Sequence, residues 1–380
     1  MMKKLDPLKL EELVSRRAGD DIAAGRILCC SVLVKQEGKT LLEKQYGSAD
    51  FQGAALDASR LFRIASMTKP VTAVAVMMLF DMGLIDLDVP VEKYLPEFAS
   101  LRLGRVDENG DPLWTRPLEH KPTVRNLLNH TSLLDLGETF KRQERRMTPS
   151  DLASLERSVD FYSRLVLETE PGTRHSYSGT VAFDVLAVLI SRLTGIPYDR
   201  FVRERITDPL GMTDTVFVPS ADQLSRLVEM HDLTDKGAVP GAVHPGCVFE
   251  KIPWSHPLAG AGLISSVRDY SRFAEMLLDG EYGGRRYLSP RALRLMRTPE
   301  YPHLTGTTNR WGLGVRVIDN EEKILPVGCF GWSGAYGTHF WVDPENRVTA
   351  VYMKNSHYDC GGGAVTGKHF EADVTAGFTD

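Results

Sequence analysis

Ser66-Met67-Thr68-Lys69-Pro70-Val71-Thr72-Ala73-Val74-Ala75-Val76-Met77-Met78-Leu79-Phe80-Asp81-Met82-Gly83 is the stretch from which the rest of the chain is read. From Met67 to Met82 it is largely apolar and it stops at a glycine, the pattern of a mostly buried helix with a Gly terminator. Just before it, Leu61–Ala65 reads as a short strand. The tetrapeptide Ser66-x-x-Lys69 therefore falls at a strand-to-helix junction. Residues i and i+3 share a helical face, so an ammonium can approach the serine hydroxyl. A serine in the first turn also stands beside unpaired backbone N–H groups and the positive end of the helix dipole, which favour oxyanion chemistry. A lysine held in a poorly hydrated cleft can accept a proton or support a neighbouring base. Spacing alone is weak, because a chain this long holds about one such tetrapeptide by chance. Position is what gives this one weight.

Outward from that helix, Cys29–Val34 and Leu41–Tyr46 flank Glu37-Gly38-Lys39 and read as a hairpin. Leu8, Leu10, Leu13, Val14, Ile22 and Ala23 are spaced among charges as on an amphipathic helix over 8–25. After Gly83 the chain reads as Pro-punctuated loops and short helices, the better-marked ones beginning near Thr148-Pro149, Gly179 and Tyr198. Ser266-Val267-Arg268-Asp269 has the capping-box pattern and leads into Phe273, Met276 and Leu277. Gly312–Val317, Leu325–Phe330, Thr338–Val342 and Val348–Met353 are β-like, with Asp343-Pro344-Glu345-Asn346 as a tight turn. Strands at both ends with helices between them predict an α+β fold. One antiparallel sheet domain takes 1–95 and 250–380, a mainly helical domain takes 96–249, and a cleft lies between them.

Two further segments carry chemistry. Pro171-Gly172-Thr173-Arg174-His175-Ser176-Tyr177-Ser178-Gly179 is a loop entering a helix, and a loop tyrosine can act as a base where cations lower its pKa from about 10. Gly331-Trp332-Ser333-Gly334-Ala335 lies between two β-like runs, and a glycine-containing strand edge can bring its backbone N–H close to a substrate carbonyl. A G-x-S-x-G nucleophile elbow is disfavoured there, because such an elbow needs strand, turn, then helix, and a hairpin follows instead.

Taken in order, Ser66–Lys69, Tyr177-Ser178-Gly179 and Trp332-Ser333-Gly334 resemble the S-x-x-K, Y-x-N and K-T-G motifs of the serine β-lactamase and penicillin-binding-protein superfamily. Phe62–Ala65, Thr123–Ser132, Asp208–Met212, Gly260–Ser266 and Trp311–Gly314 resemble its class C and family VIII carboxylesterase branch. The resemblance runs from about residue 25 to 355 and implies a β-lactamase/transpeptidase-like fold. It implies that Ser66 is the acyl-forming nucleophile and that Lys69 and Tyr177 activate it and protonate the leaving group. The backbone N–H groups of Ser66 and Ala335 would form the oxyanion hole. Gly179, Trp332, Ser333, Gly334 and His339 would line the substrate. Two departures stand out: Gly179 replaces the Asn of Y-x-N, and Trp332 replaces the Lys of K-T-G. A tryptophan cannot pair with the carboxylate of a β-lactam but offers an apolar wall.

The 380 residues are 42% apolar and 25% charged with net charge −5, an ordinary globular composition that does not suit a nucleic-acid binder. No apolar stretch of about 20 residues exists, so no membrane helix is expected. The N-terminus lacks the run of roughly 7–15 apolar residues of a secretory signal. Cys29, Cys30, Cys247, Cys329 and Cys360 read as reduced, buried thiols of a cytoplasmic protein. No metal-ligand pattern and no cofactor-binding fingerprint appear, so neither a metal nor a cofactor is expected. His130 reads as structural, His175 as a candidate for the cleft wall, and Trp254 and Trp311 as packing residues within reach of an acyl pocket. The expected partner is a small-molecule ester or amide, with assembly into a homo-oligomer left open. Carboxylesterase action on short or medium acyl esters leads; β-lactamase, D-amino-acid peptidase, amidase or acyltransferase action follows, and a non-catalytic sensor domain comes last.

Overall fold

The computed structural model describes residues 2–241, 256–304, 309–321 and 323–379. Cys247, Trp254 and the boundary expected between 249 and 250 lie outside the described residues. A seven-stranded antiparallel sheet organises the molecule. Its order is Arg310–Trp311, Arg316–Val317, Phe330–Ser333, His339–Asp343, Val348–Met353, Cys29–Gln36, Lys39–Gly47. The N-terminal hairpin thus completes a sheet begun by the C-terminal third. Its register pairs Val351 with Leu33 and Ser333 with His339.

Helices cover both faces of the sheet, so its central strands are buried on both sides and read as nearly unbroken apolar runs. Cys30, Val32, Val34, Trp341, Ala350 and Tyr352 pack beneath the Pro7–Ala23 and Val365–Ala376 helices. Cys29, Leu33, Phe340, Val351 and Met353 face the other way, toward Tyr270, Phe273 and Leu277 of the Val267–Asp279 helix. That helix begins on Ser266, whose hydroxyl accepts from the Asp269 amide at 3.2 Å, and it ends on left-handed Gly280.

The helix carrying Lys69 spans Thr68–Asp81, preceded by one 3-10 turn over Ala65–Met67. It is buried on nearly every face, and the Val181–Thr194 helix packs against it within the same core. Pro70 sits in its first turn, where no intrahelical hydrogen bond is lost. Three side chains pin its start: Tyr270 donates to the Met67 carbonyl at 2.7 Å, the Leu263 amide donates to Thr68 Oγ1 at 3.1 Å, and Thr72 Oγ1 donates to the Ala259 carbonyl at 2.7 Å.

Several expectations need adjusting. Gly312–Val317 is not one strand, because Gly314 takes φ +77° and leaves Arg316–Val317 as the pairing residues. Leu325–Cys329 is not strand either. The Cys329 amide turns back onto the Pro326 carbonyl, Gly328 has φ +91°, and pairing starts at Phe330. The stretch after Gly83 also holds a three-stranded sheet, Pro112–Pro117 beside Arg102–Val106 beside Val166–Leu167. Its outer strand exposes Leu113 and Trp114, so no inward-outward alternation marks it in the sequence.

Candidate active site

The chain enters the site on the short strand Phe62–Arg63, paired with Ile264–Ser265. Asn355 clamps Arg63 from the other side: its Oδ1 accepts from the Arg63 amide at 2.9 Å and its Nδ2 donates to the Arg63 carbonyl at 3.0 Å. Ala65 then takes φ +44°, the left-handed region that a non-glycine residue rarely adopts, and turns the chain sharply into the helix. Ser66 follows in the first turn, where backbone amides have no carbonyl above them. Among the described residues its amide donates to nothing.

Lys69 is fully buried, and its ammonium is held from three sides. It donates to the Gly179 carbonyl at 2.6 Å, the Gly260 carbonyl at 2.9 Å and Ser66 Oγ at 3.4 Å. The ring centre of Tyr177 lies 4.9 Å from the same nitrogen and that of Phe183 5.3 Å, both within cation–π range. Gly260 has to be glycine, because a Cβ there would meet the Gly179 carbonyl oxygen at 2.8 Å.

Tyr177 stands on the opposite wall with its ring among aromatics. It stacks on Trp311 with centroids 5.6 Å apart and meets Trp332 at 5.4 Å and His130 at 4.6 Å. Its hydroxyl accepts the indole N–H of Trp332 at 3.1 Å. The side chain that replaces the K-T-G lysine therefore spends its only donor on the tyrosine. At 40% exposure Tyr177 is the open member of a group whose other members, Ser66 and Lys69, are 6% and 0% exposed. Burial and the Lys69 cation hold the His130 imidazole far below its usual pKa, hence neutral, and its Nδ1 accepts the Ser178 amide at 3.1 Å.

The third wall is the end of the Phe330–Ser333 strand. A β-turn closes there with the Gly337 amide on the Gly334 carbonyl at 3.0 Å, leaving Ala335 at the turn position whose amide needs no partner. Gly334 lies so close to the Ile64 carbonyl that a Cβ would meet it at 2.4 Å. This contact brings the turn against the segment leading into Ser66. Ser333 points to the other face of the sheet, where its hydroxyl meets His339 Nδ1 at 2.8 Å, and His339 Nε2 meets Glu371 Oε1 at 2.9 Å. Arg316 donates to the same carboxylate oxygen at 3.0 Å. Burial works to raise the Glu371 pKa, but its contacts with His339 and Arg316 outweigh that and hold it at about 2. His175 Nε2 lies 3.4 Å from the Tyr301 carbonyl.

Sequence reasoning missed three carboxylates, two of them buried and Asp135 half-buried, and one carbonyl. Glu371 is one of them. Asp135 accepts from Ser178 Oγ at 2.7 Å, and Asp184 accepts the Ala259 amide at 3.0 Å. Burial raises Asp135 to about 6 and Asp184 to about 7. A signal for Asp184 existed, since it is the one charge in the otherwise apolar run Val181–Ile190. The Gly260 carbonyl had none, because every residue has one.

A hydroxyl and an ammonium one helical turn apart, with two backbone amides that have no partner among the described residues, define the serine acyl-transfer hydrolases as the class. The chain belongs to the Beta-lactamase family, whose model matches residues 12–367, and it is a serine hydrolase of that family with its α+β, β-lactamase/transpeptidase-like fold. It is 34% identical to Protein Rv1367c of Mycobacterium tuberculosis (strain ATCC 25618 / H37Rv), over 87% of this chain and 86% of that one. It is 30% identical to Esterase EstB of Burkholderia gladioli, over 90% and 89%. Among solved structures it superposes on EstCE1, described as a hydrolase with promiscuous acyltransferase activity, with TM-score 0.81 at 22% identity, covering 97% of this chain and 99% of that one.

Proposed function

We propose that this protein is a carboxylesterase acting on short or medium acyl esters through an acyl-enzyme on Ser66. Trp332 carries the reading. Where a lysine would bind a carboxylate, an indole stands with its N–H on Tyr177 and its ring against Trp311, so the wall suits neutral, apolar acyl groups. The name of Esterase EstB supports the same substrate class.

In this reading Lys69 reacts from its neutral amine form. Ser66 Oγ attacks the ester carbonyl carbon as the amine takes the hydroxyl proton. A proton is handed on through the Tyr177 hydroxyl to the departing alkoxide as the carbon–oxygen bond breaks, which returns Lys69 to the amine. The Trp332 N–H donates to the Tyr177 hydroxyl oxygen and the Lys69 nitrogen lies over the phenol ring, which holds that hydroxyl in place for the transfer. The Ser66 and Ala335 amides receive the oxyanion, each such donor contributing about 2.7–4 kcal/mol. Water then attacks the acyl-enzyme by the reverse proton route. The reaction runs in the cleft between a sheet unit, 1–95 with 250–380, and a mainly helical unit, 96–249. A second alcohol in place of that water would give acyl transfer, a reading that the description of EstCE1 favours.

The test is hydrolysis of p-nitrophenyl acetate and butyrate by wild type and Ser66→Ala. The variant is expected to lose about 10³-fold or more in kcat. Equal rates in the two proteins would defeat the proposal, and nitrocefin turned over faster than either ester would move it to a β-lactamase.

A further inference from the structure

Both carbonyls that hold the Lys69 ammonium, Gly179 and Gly260, lie next to a residue bound by an aspartate side chain. Asp184, on the Val181–Thr194 helix, accepts the Ala259 amide, and the next carbonyl along the chain is that of Gly260. Thr72 Oγ1 donates to the Ala259 carbonyl, so this residue is tied at both ends. Asp135 accepts from Ser178 Oγ, and Ser178 sits between Tyr177 and Gly179. Ser178 is itself tied twice more, its amide to His130 Nδ1 and its Oγ to the Ala182 amide. Asp184 is buried and Asp135 half-buried, and neither makes a hydrogen bond or ion pair with Lys69.

We propose that Asp184 and Asp135 are positioning residues for Lys69: each carboxylate fixes the backbone segment whose carbonyl grips the ammonium, and together they set where that ammonium stands relative to Ser66. The proposal rests on the reading of Ser66 and Lys69 as the reacting pair. Physical necessity runs through the carbonyls. A carbonyl can aim at a cation only if its peptide plane is held, and the flanking amide or side chain is the available handle. A chain buried this deeply has no water to satisfy the amide if the aspartate is removed. Asp135 holds two things at once, since the same serine lies between the Tyr177 phenol and the Gly179 carbonyl. Long-range charge adds a second link. Lys69 lowers the pKa of each carboxyl, and the charge of Asp135 raises that of Asp184. The other titratable groups facing Asp184 are the Tyr162 and Tyr198 phenols.

The test compares Asp184→Asn, Asp184→Ala and Ser178→Ala in the full-length protein, with Ser66→Ala and Lys69→Met as references. Three quantities are read for each: folded fraction, kcat and KM on p-nitrophenyl butyrate, and the pH profile of fluorophosphonate labelling of Ser66. Asn keeps an acceptor for the Ala259 amide, so Asp184→Asn should retain activity that Asp184→Ala loses. The alanine variant should fall about 10–100-fold in kcat with a smaller change in KM, as a displaced reacting group does. Labelling should vary between pH 6 and 8 in wild type through the titration of Asp184, which burial places at about 7, and this limb should flatten in Asp184→Asn. Folded Asp184→Ala with wild-type kcat and an unchanged labelling profile would overturn the proposal, as would equal losses in Asn and Ala. A Ser66→Ala or Lys69→Met protein that still labels and hydrolyses would instead overturn the underlying catalytic reading. Should Asp184→Ala fail to fold, Ser178→Ala and Asp184→Asn decide the matter by the same two readouts.

Discussion

Two buried polar networks begin at serines on either side of one strand-to-helix contact, and their carboxylates behave in opposite ways. Around Lys69, Asp184 and Asp135 are pushed up to about 7 and about 6. Beneath the Val365–Ala376 helix, Glu371 is held at about 2. Asp184 and Glu371 are both buried, so burial alone does not decide the outcome. Contact does. His339 and Arg316 both place an N–H on Glu371 Oε1, whereas Lys69 gives its hydrogens to two carbonyls and a hydroxyl and leaves both aspartates to backbone and serine donors. A cation in direct hydrogen-bond contact outweighs desolvation; one that acts through an intervening peptide does not.

The hardest blow to this contrast is removal of its cation. Lys69→Ala should lower kcat on p-nitrophenyl butyrate by about 10³-fold or more, since it removes a proton carrier and an orienting group together. A loss under tenfold would mean that the lysine only fills space. On the other network, Glu371→Ala leaves Arg316 and His339 without their shared acceptor. It should cost about 3 kcal/mol of stability in urea unfolding, with esterase kinetics changing far less than in Lys69→Ala. Comparable kinetic losses in the two variants would erase the distinction drawn here.

Titration separates the networks further. The folded pKa of Glu371 lies below its usual 4.5, so its stabilising effect is complete above that value and is lost as pH falls toward 2. Asp184 has the reverse sign. Its folded pKa lies above 3.8, so its contribution is complete below 3.8 and is lost as pH rises toward 7. Asp184→Asn should therefore be more stable relative to wild type at pH 8 than at pH 4, and parallel stability curves for the two proteins would refute that. The smallest effect expected is that of Trp332→Phe, which keeps the aromatic wall and deletes the donor to Tyr177. It should lower kcat/KM by about tenfold or less, the value of one hydrogen bond, and an increase in activity would show that the bond restrains the phenol.

Much of the frame could be read before any coordinates. Val348–Met353 is a strand over the residues its β-branched run marks, and the Cys29 hairpin extends the expected strands by only a few residues. Such elements announce themselves because local spacing and turn residues carry the signal. Arg316–Val317 and Phe330–Ser333 were harder, since Gly314 and Gly328 break apolar runs that look continuous as text. At the site, Ser66, Lys69 and Tyr177 stand out as residue types with a purpose. The groups around them do not. Gly260 is 191 residues from the lysine it binds, Glu371 is 32 from its histidine, and Asp184 is 75 from the amide it accepts. Nothing local encodes those distances, and a backbone carbonyl leaves no mark on a sequence at all.

The three-sided grip on Lys69 also bears on how the protein is born. Its nitrogen touches residues 110 and 191 positions further along the chain, so the grip closes only after most of the polypeptide has left the ribosome and the long-range contacts have formed. Until then Ser66 is an ordinary alcohol in a growing chain, with no held amine beside it. If Ser66 reacts as proposed, synthesis yields an inert intermediate, and its reactivity is expected only once the fold is complete.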